Sequence, residues 1–337
     1  MNKELELWQF ILSKLAKNEP VMLLVVAESA GSSPGRQGFK MAIAAGEMCG
    51  SIGGGVMEIR LVEQARLKIQ DSKFKIQDSR FKIQDSRFKI EAEIVEQVHQ
   101  KNSPASSGMI CSGRQTIIFY KLIPAHLETV ENIIRALENR KSKILRISPR
   151  EFTIHDLGCG EYGDLRFQDK GEAEFLYEEK LGYKNNLFII GGGHCALALS
   201  ELMSKMDFHI SLFDDRAELN TLDKNKFAHR KTIIESYENI GEFIPEGTNV
   251  YVVVMTLGYK FDEIVIKKLF DKSFKYFGVL GSRAKMKTML RKLEKEGFAK
   301  ERLNRIRTPI GLPINSQTPE EIAVSIAAEI IAVKNSK

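Results

Sequence analysis

The sequence has 337 residues, enough for two domains, and its 50 Lys and Arg against 44 Asp and Glu give a formal net charge of +6. So small an excess, without a basic tract interleaved with aromatic residues, argues against a nucleic-acid-binding protein. The four cysteines form no CxxC pair of a zinc site, and no apolar run approaches the ~18 residues of a transmembrane helix. Because acidic residues also interrupt the apolar N-terminal stretch, we expect no signal peptide and a cytoplasmic location.

Residues 1–150 are predicted to form an N-terminal domain of α/β type with α+β character. Two glycine-rich loops dominate it, GSSPG at 31–35 and CGSIGGG at 49–55, and the second leads directly into a helix. The other predicted elements are an amphipathic first helix, strands at 21–27, 115–121 and 143–147, and a helix at 125–140. Residues 151–186 are polar and mixed, and we interpret them as a β-rich connecting segment.

Residues 68–88 are three copies of a seven-residue unit, KIQDSKF, KIQDSRF and KIQDSRF. Three short copies are too few for a solenoid, and the spacing of Ile and Phe fits neither a heptad seam nor a uniform strand. A tandem expansion in a tolerant surface connection is the favoured interpretation. A lengthened helix or a hairpin arm is the alternative.

Residues 187–337 are predicted to form a Rossmann-type, doubly wound parallel sheet. Short continuous apolar runs alternate with helices, as expected for strands buried on both faces. The first run leads into Gly191-Gly192-Gly193-His194-Cys195-Ala196, which fits G-x-G-x-x-A between a strand and a helix. Gly191 permits the tight turn, Gly193 permits close approach of a pyrophosphate, and the helix N-terminus offers free N–H groups to phosphate. The alternative is a turn that only packs the sheet.

Polar residues are predicted at the carboxyl ends of the other strands, where ligands of such folds gather. Asp214, in the run Asp214-Asp215-Arg216, is placed to accept hydrogen bonds from ribose hydroxyls. Thr256 and the run Gly281-Ser282-Arg283 end later strands and offer hydroxyl, N–H and guanidinium groups. Plain helix starts are the alternative for both.

Two residues of the N-terminal domain have a candidate chemical role. Glu58 lies in the first turn after the second glycine loop, where its carboxylate can accept two parallel hydrogen bonds from a guanidine-like edge of a pterin or guanine. Its alternative role is to complement the helix dipole. Cys111, beside Arg114, is a candidate to carry sulfur or bind a soft metal, or else a small buried hydrophobe. The histidines are not spaced like the ligands of a metal site.

Several stretches resemble the XdhC/CoxI family, the accessory factors of xanthine dehydrogenase and related molybdenum hydroxylases. They are GSSPGRQGFKM, GSIGGGVMEIRLVEQA, SSGMICSGRQTIIF, LFIIGGGHCALAL, FGVLGSRAKMKTML and RIRTPIGLPINSQTPEEIAVSIAAEIIAV. The resemblance covers nearly the whole chain apart from the repeat. Many relatives have a cysteine where this chain has Val56, so that thiol is missing here. Many also have THG where this chain has Thr256-Leu257-Gly258, so the histidine of that motif is missing as well.

The resemblance implies a homodimeric chaperone that binds molybdenum cofactor, receives sulfur for it from a cysteine desulfurase, and passes it to a molybdenum hydroxylase apoprotein. Such a protein needs no acid–base pair, in agreement with the sequence. The expected cofactor-binding residues are Ser32, Ser33, Gly50, Ser51, Gly53, Gly54, Gly55, Glu58, Cys111, Gly113, Gly191, Gly193, His194, Asp214, Asp215, Arg216, Thr256, Gly281, Ser282 and Arg283. The alternatives are an NAD(P)-dependent oxidoreductase that uses the same Rossmann turn, and a nucleotide-sensing module without chemistry.

Overall fold

A computed structural model describes residues 3–70, 92–98, 113–139, 142–156, 163–171, 174–206 and 208–336. The chain divides into two compact units, Met1–Gly182 and Tyr183–Lys337. Most of the repeat at 68–88 lies outside the described residues. Its first three residues continue the helix that follows the second glycine loop.

In the described residues, the first unit contains two antiparallel sheets and three α-helices. Its elements are α1 (Lys3–Leu15), β1 (Val21–Gly31), β2 (Lys40–Ile43), β3 (Met48–Gly50), α2 (Gly55–Gln70), β4 (Ala92–Val98), β5 (Gly113–Leu122), α3 (Leu127–Glu138), β6 (Lys143–Ser148), β7 (Glu151–Asp156), β8 (Leu165–Gly171) and β9 (Glu174–Leu181). The strand orders are β3-β2-β1-β5-β4 and β7-β6-β9-β8.

Helices cover both faces of the first sheet, which explains why β1 begins as an unbroken apolar run. Leu23 and Val25 pack in the same core as Trp8 of α1. Their neighbours in the strand, such as Leu24, point the other way and pack with Leu61 of α2. Successive strand residues face opposite sides, so a strand covered on both sides must be apolar at every position.

The predicted connecting segment at 151–186 is β-rich, as expected, but its residues 151–182 belong to the first unit. Its strands β7 and β9 flank β6, and β8 pairs with β9. Phe152, Phe175 and Tyr177 from these strands are buried in the same core as α1. Two of the acidic residues in this segment, Glu178 and Glu179, are themselves buried, and they pair with Arg146 and Lys40.

A buried cluster of charges joins the second sheet to the strand that follows the first glycine loop. The ammonium of Lys40 lies 2.6 Å from a carboxylate oxygen of Glu179 and 3.4 Å from one of Glu4. The hydroxyl of Tyr177 donates a hydrogen bond of 2.7 Å to Glu179. Burial lowers the pKa of Lys40, but the two carboxylates outweigh burial and raise it above its usual value.

The second unit is a five-stranded, wholly parallel sheet with helices on both faces, as the sequence predicted. Its elements are β10 (Asn185–Ile190), α4 (His194–Met203), β11 (Phe208–Asp214), α5 (Asn220–Lys224), β12 (Arg230–Ile233), α6 (Ile240–Phe243), β13 (Gly247–Val254), α7 (Tyr259–Leu269), β14 (Phe274–Val279), α8 (Arg283–Lys295), α9 (Lys300–Leu303) and α10 (Pro319–Asn335). In the strand order β12-β11-β10-β13-β14, the strands that follow β10 in the chain are added first on one side of it and then, from β13, on the other. Such a change of side opens the crevice in which ligands of these folds bind.

Two further sequence expectations concern the helices. The last helix, α10, begins with the predicted capping box, in which Thr318 and Glu321 each satisfy the other's backbone N–H. Among the described residues, no helix is both long and apolar enough to cross a membrane.

The buried cluster around Lys40 yields a stability prediction. Lys40→Met keeps the apolar volume but leaves Glu179 and Glu4 without their cation, which is expected to lower the free energy of unfolding by about 3–5 kcal/mol. Because the folded pKa of Lys40 is raised above an unfolded value of about 10.4, its stabilisation is complete at neutral pH and is lost as the pH rises through the folded pKa. Urea denaturation measures the effect. Lys17→Met, at an exposed lysine of the same unit, is the control, and equal losses in the two variants would contradict the prediction.

Candidate functional site

Three backbone segments of the first unit meet at one place, which we call the glycine-loop site: residues 32–35, residues 51–55 and Gly113 at the start of β5. A Cβ added at Gly35 would lie 1.9 Å from the carbonyl oxygen of Ile52, and one added at Gly113 would lie 2.7 Å from the amide nitrogen of Ser33. Gly53 has φ +131°, and its added Cβ would lie 2.4 Å from the nitrogen of Gly35. Only glycine permits this backbone-to-backbone approach.

The glycine-loop site brings together most of the N-terminal residues that the sequence singled out. They are Ser32, Ser33, Gly50, Ser51, Gly53, Gly54, Gly55, Glu58 and Gly113. Ser33 is buried, and its hydroxyl donates a hydrogen bond to the carbonyl oxygen of Gly35. Cys111, which precedes Gly113 closely in the chain, lies outside the described residues, so its role stays a prediction.

Glu58, in the first turn of α2, closes the second glycine loop onto the helix. Its Oε2 accepts hydrogen bonds from the Ser51 hydroxyl at 2.7 Å, the Ile52 amide at 2.8 Å and the Gly54 amide at 2.9 Å. Partial burial raises the pKa of this carboxyl, but the hydrogen bonds from the loop outweigh burial and hold the pKa below its ordinary value. The described residues donate to Oε2 alone, which leaves Oε1 as an acceptor on the half-buried side chain.

Gln115 is a member of this site that the sequence analysis missed. Its side chain is fully buried, and its Nε2 donates to the carbonyl oxygens of Gly35 at 3.0 Å and Ile52 at 3.3 Å. One amide group therefore joins the two glycine loops. A single glutamine in a strand has no distinguishing pattern, so nothing in the sequence indicated it.

The two cysteines in the described part of the chain are not activated thiols. Partial burial raises the pKa of Cys49, and the charge of Glu6 raises it further. Partial burial also raises the pKa of Cys195, and the charge of Glu320 adds to the effect. A raised pKa leaves less nucleophilic thiolate at neutral pH. Within that part of the chain, no group of three or more His, Cys, Asp or Glu side chains is arranged to hold a metal ion.

The predicted turn between β10 and α4 has the geometry of a Rossmann glycine turn. Gly191 has φ +106°, and an added Cβ would lie 2.2 Å from the carbonyl oxygen of Met255, so no other residue fits there. A Cβ added at Gly193 would meet no atom within 4 Å, which leaves the space before the N-terminus of α4 open. His194 opens α4 and is exposed, while Ala196 is fully buried against the sheet.

Asp214 lies at the predicted end of β11, but the protein itself uses its carboxylate. The side chain is fully buried, and Oδ2 accepts from the Gly192 amide at 2.6 Å. Arg216 donates to both oxygens, from Nε at 2.8 Å and Nη2 at 2.8 Å, and its amide donates to Oδ1 at 2.9 Å. Burial raises the pKa of Asp214, but these hydrogen bonds outweigh burial and lower it below its ordinary value. The neighbouring acid, Asp215, has a partly exposed side chain, at 25%.

The remaining predicted residues of the second unit lie at the same edge of the sheet. Thr256 follows β13, and its hydroxyl donates to Asp262 of α7 at 2.6 Å. Ser282 is the N-cap of α8, where its hydroxyl accepts a hydrogen bond from the Lys285 amide, and Arg283 begins that helix with an exposed side chain. Parallel strands end at one edge, so these groups share the edge that carries the glycine turn.

The hydrogen bonds of Glu58 predict a pH-dependent stability. Glu58→Gln is expected to weaken the loop and lower the urea midpoint at pH 7, because an amide oxygen is a poorer acceptor than a carboxylate. A carboxyl whose folded pKa is lowered stabilises the fold above its unfolded pKa of about 4.3, and the stabilisation is lost as the pH falls through the folded pKa. The difference between wild type and variant should therefore shrink below about pH 4. A difference that persists unchanged in acid would show that the charge of Glu58 is unimportant.

The neighbouring acids Asp214 and Asp215 provide a matched pair of variants. Asp214→Asn breaks a buried ion pair and is expected to lower the free energy of unfolding by about 3 kcal/mol or more. Asp215→Asn, at a partly exposed side chain 3.9 Å from the Nε of Arg216, is expected to cost less than about 1 kcal/mol. Urea denaturation at neutral pH measures both. Similar losses in the two variants would contradict the structural role of Asp214.

Sequence models of known protein families match parts of both units. The sequence model described as the XdhC Rossmann domain matches residues 187–330. The sequence model of the XdhC and CoxI family matches residues 14–78, which contain both glycine loops and Glu58.

Known proteins show the same similarity. The chain is 29% identical over 211 residues to the uncharacterized protein YqeB of Escherichia coli (strain K12), covering 62% of this chain and 37% of that protein. It is 28% identical over 163 residues to a protein of Bacillus subtilis (strain 168) described as a probable xanthine dehydrogenase subunit, covering 47% of this chain and 46% of that protein. The matches thus span less than half the length of these relatives.

A solved structure shares the fold. It is the crystal structure of a protein from Bacillus halodurans described as a xanthine dehydrogenase, with a TM-score of 0.70 and 19% identity, covering 100% of this chain and 97% of that one. The structure at this identity shows the shared fold, and the family follows from the two sequence models, one in each unit. The chain belongs to the XdhC and CoxI family.

Proposed function

We propose that this protein is an accessory factor of a xanthine dehydrogenase-type molybdenum hydroxylase, and that it binds molybdenum cofactor for delivery to that enzyme. The observation that carries the proposal is the glycine-loop site, where three backbone segments pack without side chains between them. Beside this packed region a Cβ added at Gly54 would meet no atom within 4 Å, so a flat heterocycle can lie directly against the backbone there. The family relation supports the same function, since a relative is described as a probable xanthine dehydrogenase subunit.

The residues of the glycine-loop site fit the pterin part of such a cofactor. A pterin presents adjacent N–H donors on its amino-pyrimidinone edge, and Glu58 retains one carboxylate oxygen to accept from it. The lowered pKa keeps this carboxyl ionised at neutral pH. Because the loop amides already hold Oε2 in place, the acceptor is preorganised and little ordering remains for binding.

The second unit has its own proposed binding place for a phosphate-bearing ligand, at the edge that carries its glycine turn. The open space before α4, the free N–H groups of its first turn and the partial positive charge of its N-terminus together suit an anion. Arg216 and Arg283 add guanidinium groups at the same edge. When bound, the cofactor would supply the molybdenum chemistry, while the protein would hold and protect it.

Delivery also requires partners, and these belong to the proposal. The client is a molybdenum hydroxylase apoprotein, and the sulfur donor is a cysteine desulfurase. Cys111 is the proposed position for sulfur or metal contact, because Gly113, two residues after it, lies in the glycine-loop site. A homodimer is the proposed assembly.

The rival function, an NAD(P)-dependent oxidoreductase, depends on an acid that is free to accept ribose hydroxyls. Asp214 is fully buried, and four N–H donors already occupy its two oxygens. A carboxylate has about four acceptor positions, so Asp214 has none left for a ribose. The observation removes Asp214, the acid that this rival function would use, and leaves only the partly exposed Asp215 of the same run.

The proposed function is tested by anaerobic binding of purified molybdenum cofactor, followed by gel filtration and analysis of molybdenum and pterin in the protein peak. Near-stoichiometric co-elution is expected for the wild type. Glu58→Gln and Cys111→Ala are each expected to reduce retention at least tenfold. Glu63→Gln, at an exposed glutamate of the same helix, is the control and should retain cofactor normally. Failure to retain cofactor, together with tight binding of NADH, would overturn the proposal.

A further inference from the structure

The glycine-loop site contains a buried acceptor that the fold leaves unused. The Oε1 atom of Gln115 is buried, and among the described residues it has no hydrogen-bond partner. A buried carbonyl oxygen without a donor costs about 1–3 kcal/mol, and such atoms are rare in folded proteins. Its presence at the junction of two glycine loops therefore needs an explanation.

The orientation of the Gln115 amide follows from its surroundings. Its nitrogen faces two carbonyl oxygens, those of Gly35 and Ile52, and carbonyl groups can only accept. If Nε2 and Oε1 of the amide exchanged places, Oε1 would lie beside the two carbonyl oxygens, and none of the three oxygens could donate a hydrogen bond. The side-chain oxygen must consequently lie on the opposite side, and no rearrangement of the amide alone gives it a donor.

Gln115 and Glu58 hold the same residue from two sides. The amide of Ile52 donates to Glu58, while the carbonyl oxygen of Ile52 accepts from Gln115. Each of these two side chains uses one terminal atom to hold the loop and keeps one oxygen without a donor from the described residues. The site therefore has two spare acceptors beside one short stretch of backbone.

We propose that Gln115 is a specificity-determining residue of the glycine-loop site, whose Oε1 accepts a hydrogen bond from an N–H donor of the bound heterocycle. This inference rests on the proposed function, because both assume a ligand with an amino-pyrimidinone edge. Glu58 and Gln115 together would select an edge that carries N–H donors over one that carries oxygens. A site built to hydrogen-bond a donor discriminates strongly against an analogue that lacks it, since its buried acceptor is then left unpaired.

Two fluorescent heterocycles test this selection, because they differ at one position of the relevant edge. Pterin has an amino group where lumazine has a carbonyl oxygen. Fluorescence titration of the full chain is expected to show at least tenfold tighter binding of pterin than of lumazine. Gln115→Met, which has similar length but no polar atoms, is expected to reduce this ratio to less than about threefold.

Gln97→Met is the matched control. Gln97 lies directly opposite Gln115 in the pairing of β4 with β5, and its side chain is only half-buried. The control should keep the wild-type preference for pterin. A thermal melt of each variant separates loss of folding from loss of selectivity. A wild-type ratio near one would overturn the proposal whether or not Gln115→Met folds.

The outcomes distinguish this inference from the proposed function. Equal affinities for pterin and lumazine in the wild type, or no measurable binding of either, would overturn the role of Gln115 even if molybdenum cofactor co-elutes with the protein. A Gln115→Met variant that melts earlier but keeps the preference would show that Gln115 only supports the fold, which also overturns the proposal. Pterin selectivity that depends on Gln115, without cofactor retention, would sustain the inference and overturn the chaperone function.

Discussion

The close approach of three backbone segments is the constraint on which the first unit depends. Gly35, Gly53 and Gly113 lie where any side chain would collide with a neighbouring backbone atom. Segments without side chains gain no packing restraint of their own, and glycine loses the most conformational freedom on folding. The loops therefore need polar groups from elsewhere to hold them, and Glu58 and Gln115 supply these.

The second unit solves the same problem in the same way. Its glycine turn is held by Asp214, whose carboxylate binds the Gly192 amide, while the Thr221 hydroxyl donates to the Gly192 carbonyl at 2.5 Å. In both units an acidic residue that a sequence motif suggests for ligand recognition is engaged by the protein's own backbone. The two cases differ in one respect, because Glu58 keeps an oxygen available and Asp214 does not. This difference favours the first unit as the place where an acidic side chain contacts the ligand.

Much of the fold could be predicted from the sequence, and the exceptions have a physical reason. Continuous apolar runs such as Leu187–Ile190 identify strands buried on both faces, and the capping box at Thr318 identifies a helix start. The strands β7 and β9 carry charged residues next to buried ones, and β8 has no buried side chain among its described residues, so the segment resembles a polar connection. The strand β4 was missed because it directly follows the repeat, where periodicity gives no guidance.

The candidate site was predictable in its backbone and not in its hydrogen bonds. Glycine spacing indicated both loops and the Rossmann turn, since only a few backbone geometries require such runs. Whether an acid faces a ligand or a buried amide depends on which donors surround it in three dimensions. Asp214 illustrates this limit. The guanidinium of Arg216 donates to both of its carboxylate oxygens only in the folded chain. Gln115 illustrates it further, since its partners are 63 and 80 residues away in the chain.

The most direct test of the central claim is hydrogen–deuterium exchange of the full chain with and without molybdenum cofactor under anaerobic conditions. If the glycine-loop site holds the pterin, peptides that cover residues 31–38 and 50–58 should exchange more slowly when cofactor is present. Peptides from β7 and β8, which lie in the second sheet of the same unit, should be unchanged. Unaltered exchange in both glycine loops at saturating cofactor would contradict the account.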